Sequence, residues 1–166
     1  RLTLYRQTLT AAQRLHAFPV KDFPRDRIGL MEGFGPSLYR WERDYFREHF
    51  VKALCGIAIP PALEKALEEE LASLADRLHS TAPSLLHRDL QSQNVMVRKG
   101  RTFLIDFQGM RLGNAFYDIA SLLNDPYVDL PADEVEELLD FHQSSVVGGP
   151  GRSDFRRAFW EASAQR

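Results

Sequence analysis

The sequence holds one cysteine, Cys55, which excludes any disulfide within the chain and fits a reducing compartment. It has no excess charge of either sign: 21 lysines and arginines stand against 23 aspartates and glutamates, for a formal charge of −2. That balance argues against a polybasic nucleic-acid binder. Long apolar runs are missing as well. The longest, Ala53 to Leu63, is broken by Pro60–Pro61 and falls short of the roughly 20 residues that cross a bilayer. No basic-then-apolar leader opens the chain, and no G-K-[ST] element marks a P-loop. The expectation is a cytoplasmic protein with neither nucleic acid nor membrane among its partners. What remains is ordinary globular composition: 166 residues, 44% hydrophobic and 27% charged. A chain of that length buries roughly 68–70% of its unfolded surface, so one sizeable core is feasible. Arg1 stands where an initiator methionine would, and Leu2, Leu4, Tyr5, Leu9 and Leu15 already follow a broken helical spacing. The chain is therefore expected to be part of a longer one.

Periodicity predicts a single domain over 1–166, mainly helical with one small β-hairpin. An amphipathic helix over 3–18 ends at Pro19, and a second, over about 37–54, starts from Ser37 as N-cap and stops near Gly56. Between them Pro19, Pro24, Gly29, Gly33, Gly35 and Pro36 punctuate an irregular connection. A third helix follows Pro60–Pro61. Its apolar stripe runs Leu63, Leu67, Leu71, Leu74 and Leu78, with Glu64, Glu68, Glu69 and Asp76 on a solvated face. After Pro83 the pattern changes. Ser84-Leu85-Leu86 is short and apolar, and His87 to Asn94 is polar and loop-like. Val95 to Val97 and Thr102 to Ile105 read as strands around a turn at 98–101. Helices resume at about 114–124, 132–143 and 153–165, with Gly148-Gly149-Pro150-Gly151 before the last.

The chemistry concentrates in His87-Arg88-Asp89-Leu90-Gln91-Ser92-Gln93-Asn94 and, twelve residues on, Asp106 at the end of an apolar strand. Each element has a task if the reaction is phosphoryl transfer. A loop carboxylate, Asp89, accepts a substrate hydroxyl proton and holds that oxygen in line with the phosphorus. An amide oxygen, Asn94, and a second carboxylate, Asp106, hold magnesium, which takes oxygen ligands and keeps waters, so two protein ligands suffice. The turn at 98–101 folds Asp106 back beside Asn94. His-x-Asp alone describes many surface loops. The composite of His-x-Asp-x4-Asn, a hairpin and a strand ending Asp-Phe is far more specific. His79 and His87 are eight residues apart and share no helical face, which excludes a zinc site of helical spacing.

On these residues the sequence resembles the C-terminal lobe of the aminoglycoside phosphotransferase and choline kinase-like group, relatives of the protein kinases. Within that group Ile105-Asp106-Phe107-Gln108, Gly113 and the run from Tyr117 to Asp125 resemble bacterial cell-wall amino-sugar kinases. Those enzymes phosphorylate the anomeric hydroxyl of N-acetylmuramate or N-acetylglucosamine. The resemblance implies a protein kinase-like fold with the N-terminal lobe absent, and ATP and magnesium as cofactors. It makes Asp89 the catalytic base, Asn94 and Asp106 the metal ligands, and Met96 and Ile105 the floor of the adenine pocket. Asp118 is then a brace for the catalytic loop through backbone hydrogen bonds, and His87 packs against the hairpin. Glu42, Gln108 and Asp125 become the candidates for contact with a small-molecule acceptor. Two positions depart from the family: Gln91 replaces a histidine or lysine, and Asn114 replaces a proline after Gly113.

Such kinases also need a glycine-rich strand pair over the phosphates and a strand lysine paired to a helix glutamate. Gly33-Phe34-Gly35 offers two glycines, with Leu38 where a third belongs. The four lysines, Lys21, Lys52, Lys65 and Lys99, lie in loops, on helices or in the hairpin turn. The missing lobe is thus an expected partner. An aminoglycoside or other small-alcohol kinase is the first alternative, and a catalytically inactive binding module is the second. A polycationic antibiotic calls for a pocket lined by carboxylates, whereas an amino-sugar calls for a neutral pocket or an arginine.

Overall fold

The computed structural model of the chain describes residues 1–146 and 151–166, so the expected break at Gly148–Pro150 lies outside them. Helix α1 (Leu2–His16) buries Tyr5, Thr8, Leu9 and Ala12, the i, i+3, i+4, i+7 stripe of an amphipathic helix. Helix α2 (Pro36–Tyr45) has Pro36 at its first turn and Gly35, not Ser37, as N-cap, with no side chain closing that end. The expected single helix to residue 54 is continuous but changes character. From Phe46 to Leu54 the coil widens into a π-helical segment, visible in the Cys55 N–H donating to the Phe50 carbonyl at 2.9 Å. Gly56, at φ 65, then turns the chain.

Helix α3 (Pro61–His79) buries only the C-terminal half of its leucine stripe. Leu74 and Leu78 enter the core, while Leu63 and Leu67 are 58% and 38% exposed. The expected hairpin forms from β2 (Val95–Arg98) and β3 (Arg101–Leu104), with Val95 opposite Leu104 and the turn tightened to Lys99-Gly100. A second antiparallel pair is an addition to the expected fold. Strand β1 (Ser84–Leu86) pairs with β4 (Arg111–Gly113), with Leu85 opposite Leu112. Gly33-Phe34-Gly35 serves this pair. The Phe34 N–H donates to the Leu112 carbonyl at 2.8 Å, and a Cβ on Gly33 would lie 3.2 Å from that same oxygen. Gly113 is equally constrained, since a Cβ there would stand 2.8 Å from both Leu86 and Phe34.

The last helices are α4 (Phe116–Leu123), α5 (Ala132–Ser145) and α6 (Arg152–Gln165). α4 is buried from Tyr117 to Leu123 and packs against α6 and α1, the behaviour of a helix with no solvated face. Asn114, the proline replacement, starts it by accepting the Phe116 N–H at 2.9 Å. Leu9, Leu86, Leu90, Ile119, Leu122, Leu138, Leu139, Phe155 and Phe159 form the centre of one core. Among the described residues no helix is long and apolar enough to cross a membrane.

His142 of α5 lies in that packing, 5% exposed, with its ring 5.9 Å from Phe155. Burial, aided by repulsion from His16, pushes its pKa down to about 4. An unfolded histidine titrates near 6.5, so the unfolded chain binds more protons between those values. The His142 contribution is therefore complete above about pH 6.5 and is lost as pH falls toward about 4, by about 3 kcal/mol in total. His142→Leu should flatten the decline in Tm between pH 7 and pH 4.5. An unchanged slope would show that carboxylates alone set the acid limit.

Candidate active site

One buried carboxylate organises the loop that carries the chemistry. Asp118, on the first turn of α4, is fully buried. Its Oδ1 accepts the Arg88 N–H and its Oδ2 the His87 N–H, both at 2.8 Å. Nε2 of His16 lies 2.9 Å from the same Oδ2 and links α1 to the loop. Asp118 thus braces His87-Arg88 by the backbone bonds that the resemblance implies. His16 was not legible from the sequence, since its contact spans 102 residues.

His87 is 1% exposed and donates from Nε2 to the Ile105 carbonyl at 2.9 Å. It sits against the hairpin, as expected. Two further bonds close the assembly. The Ile105 N–H donates to the Asn94 carbonyl at 3.0 Å, and Nδ2 of Asn94 donates to the Asp89 carbonyl at 2.8 Å. The hairpin therefore brings the strand end carrying Asp106 onto the loop carrying Asp89 and Asn94. Asp106 itself is exposed, at φ 63, and has no hydrogen bond or ion pair among the described residues. Left-handed backbone costs a non-glycine residue about 1–2 kcal/mol. Here it turns the Asp106 carboxylate out of the strand and into the open.

The donor set fits magnesium. Oδ1 of Asn94 and the Asp106 carboxylate are hard oxygens without a protein partner among the described residues. Two such ligands leave positions for water, as this ion prefers. No three of His, Cys, Asp and Glu gather at one point among the described residues.

The acceptor candidates divide. Glu42 lines a cavity of about 790 Å³ bounded by α2 with its π-helical continuation, α3, α6 and Arg88. Its Oε1 accepts from the Tyr117 hydroxyl at 2.9 Å and its Oε2 from Gln165 at 3.3 Å. Asp125 does not reach that cavity. It is 4% exposed, its Oδ2 accepts the Ser92 N–H at 2.6 Å and its Oδ1 the Tyr127 N–H at 2.9 Å. Both oxygens are committed to backbone, so Asp125 is a second brace of the loop from His87 to Asn94. Gln108 is exposed on the short turn Phe107–Gly109 and does not line the cavity either. Met96 is 53% exposed across the hairpin from Phe103, and Ile105 is partly exposed beyond it. This apolar face is open.

Arg88 is the residue whose part the sequence did not disclose. Its backbone is at φ 76, and its Nη1 donates to both Asp89 oxygens, at 3.1 and 3.0 Å. Burial opposes the charge on this guanidinium, but Asp89 more than offsets it and raises the pKa. Gly109 leaves room for the pair, since a Cβ there would stand 3.1 Å from Asp89 Oδ2 and 3.4 Å from Arg88.

With the loop, the paired oxygens and the cavity in place, the comparisons with known proteins take on a structural meaning. The sequence profile of APH, the phosphotransferase enzyme family, matches residues 1–155. The chain belongs to that family. Among curated members, the N-acetylmuramate/N-acetylglucosamine kinase of Pseudomonas putida is 28% identical over 135 residues, covering 80% of this chain and 40% of that protein. The enzyme of the same name from Neisseria meningitidis is 26% identical over 113 residues, covering 68% and 34%. The chain thus spans between a third and two fifths of these phosphotransferases. In structure it is similar to a type VIII aminoglycoside-3'-phosphotransferase, with a TM-score of 0.60, 18% identity and coverage of 99% of this chain and 60% of that one. A choline/ethanolamine kinase family protein from Mesorhizobium loti gives 0.62, 18%, 97% and 49%. An aminoglycoside phosphotransferase from Streptomyces rimosus, solved with ADP and streptomycin, gives 0.61, 16%, 98% and 62%. These likenesses establish the phosphotransferase fold, with this chain corresponding to a part of each larger protein.

Asp118→Ala should lower stability by about 3 kcal/mol, because two backbone N–H groups and His16 lose their acceptor together. Amide hydrogen exchange should show His87 and Arg88 losing protection before the core helices do. Protection equal to the parent chain would mean that the loop is held by other means.

Proposed function

We propose that this chain is the catalytic-loop lobe of an ATP- and magnesium-dependent kinase that phosphorylates a hydroxyl of a small molecule, with an amino-sugar as the acceptor. One observation carries the reading. The 3.0 Å bond from Ile105 N–H to the Asn94 carbonyl brings the exposed Asp106 carboxylate to the loop on which Asp89 and Asn94 are already bonded. A bare scaffold has no use for an unpartnered carboxylate held at a left-handed backbone position. That argues against an inactive binding module.

In this reading Asp89 accepts the proton of the acceptor hydroxyl and fixes that oxygen for in-line attack. Asn94 and Asp106 hold the magnesium, whose charge offsets that of the nucleotide triphosphate. Met96 and Ile105 receive the adenine. Glu42, with Tyr117, presents hydroxyl-recognising groups in the cavity. The acceptor class is supported by the amino-sugar kinase names of the two relatives and by the cavity's charge. Arg88 and Arg166 line it, and Arg166 lies 5.5 Å over the Tyr117 ring with no carboxylate partner among the described residues. Glu42, Glu64 and Glu68 line the same wall beside Arg43 and Arg47, so the wall is near charge balance and contains arginine, which suits an amino-sugar better than a polycation.

In the full-length enzyme, Asp89→Asn should lower kcat by roughly 10²–10⁴-fold while leaving nucleotide affinity nearly intact. Asp106→Ala should damage magnesium-nucleotide binding and turnover together. Loss of nucleotide binding in Asp89→Asn with unimpaired chemistry would reverse this division of labour. The 166-residue chain alone should show no measurable turnover with ATP, magnesium and a panel of amino-sugars. Among the described residues there is no glycine-rich strand pair and no strand lysine to position the triphosphate. Turnover matching an intact kinase would refute that reading of which part is present.

A further inference from the structure

We propose that Arg88 is the specificity-determining residue of the acceptor site: its guanidinium ties Asp89 to the cavity and selects an amino-sugar bearing a carboxylate over a neutral one. The inference rests on the amino-sugar reading above and deepens it.

The backbone is the first argument. At φ 76 a glycine would sit without penalty, yet the chain keeps its longest cationic side chain there. Strained non-glycine positions persist where the side chain has work to perform. The second argument is the placement of the guanidinium. Nη1 is committed to Asp89, whereas Nη2 has no hydrogen bond among the described residues. Arg88 lines the cavity and Asp89 does not, so Arg88 is the member of the pair common to the base and the acceptor space. A hydroxyl on Asp89 therefore leaves its sugar's neighbouring substituents beside a free guanidinium donor.

The third argument is charge. The other ionic groups of the cavity wall are largely matched: Arg43 pairs with Glu68 at 2.9 Å and Arg47 with Asp44 at 2.7 Å. Glu42 accepts only from Tyr117 and Gln165, which are neutral, so its charge has no cationic partner among the described residues. Arg88 is itself paired with Asp89 at 3.0 Å, whereas Arg166 and Arg111, which repels Arg88, have no carboxylate partner among the described residues. Those two cations against Glu42 leave a positive balance at this corner. A carboxylate answers it with a charge-assisted hydrogen bond from Nη2, and a neutral hydroxyl answers it weakly.

The test is calorimetric binding of N-acetylmuramate and N-acetylglucosamine to the full-length protein and to its Arg88→Gly and Arg88→Lys variants, with MgADP titrated in parallel. The parent protein should prefer the acidic sugar by about tenfold or more. Arg88→Gly should erase the preference while its Tm changes little, because relief of the backbone strain offsets the lost pair with Asp89. Arg88→Lys should retain part of it. MgADP affinity should be the same in all three proteins. Equal affinity of the parent for both sugars overturns the proposal, as does a preference that survives Arg88→Gly. A variant that loses MgADP but keeps the sugar preference overturns it too, by assigning Arg88 to the phosphates. If neither sugar binds while another alcohol is phosphorylated, the amino-sugar reading falls, and the selection assigned to Arg88 falls with it.

Discussion

The geometry of this site depends on one carboxylate sealed inside the fold. Asp118 is fully buried, and burying a charge is costly unless it is paired and hydrogen-bonded. Here the two N–H groups of His87 and Arg88 and the ring of His16 supply three partners. The loop is thereby fixed to α4, the most deeply buried helix, and to α1 on its far side. Asp125 repeats the device at Ser92, seven residues further along α4 and its end. Asp118 and Asp125 are thus the mounts on which the loop carrying Asp89 is held.

That arrangement explains why the loop tolerates left-handed backbone at Arg88 and Asp106. A lone strained residue would relax into an ordinary turn. At Arg88 the peptide N–H is held by Asp118, and the side chain is held by Asp89. At Asp106 the preceding residue is bonded on both sides, its N–H to Asn94 and its carbonyl to His87. The cost of each conformation, about 1–2 kcal/mol, is set against several hydrogen bonds that the relaxed turn would break. Both side chains end up exposed or half-exposed next to one another's loops, where a relaxed backbone would not put them.

Sequence reasoning reached this site because its parts are local. His87 to Asn94, the hairpin and Asp106 fall within 20 residues, and a short hairpin has little freedom in how it closes. It failed where the decisive contact is distant or where a residue type has two good uses. Strands β1 and β4 have three residues each and pair across a separation that no local pattern records. The π-helical stretch keeps the composition of an α-helix, so only its hydrogen bonds reveal it. The leucine stripe of α3 is one stripe in sequence but serves two surfaces, core at Leu74 and Leu78 and cavity wall at Leu67 and Leu71. Asp125 before Pro126 reads equally well as an acceptor contact or a helix end, and its role as a brace shows only in its two backbone donors. Arg88 was a spacer between His87 and Asp89, because a backbone angle has no letter.

The separation between mounts and working groups also bears on how a site of this kind changes its acceptor. Asp118, Asp125, His87 and the Asn94 backbone are committed to holding the loop, and altering any of them disturbs Asp89 and Asp106 at once. Glu42 is partly committed, since Tyr117 and Gln165 both bond to it. The side chain of Arg88 is different. Its backbone N–H supplies the structural bond to Asp118, and that bond is available to any residue except proline. The guanidinium can be exchanged without breaking that bond, although Asp89 then loses its ion-pair partner, and only glycine would relieve the strain at φ 76. Substitution at this one position changes the charge beside the cavity and the hold on Asp89 together, while the backbone mount of the loop stays in place. A site of this kind is most easily altered where the backbone, and not the side chain, holds the loop.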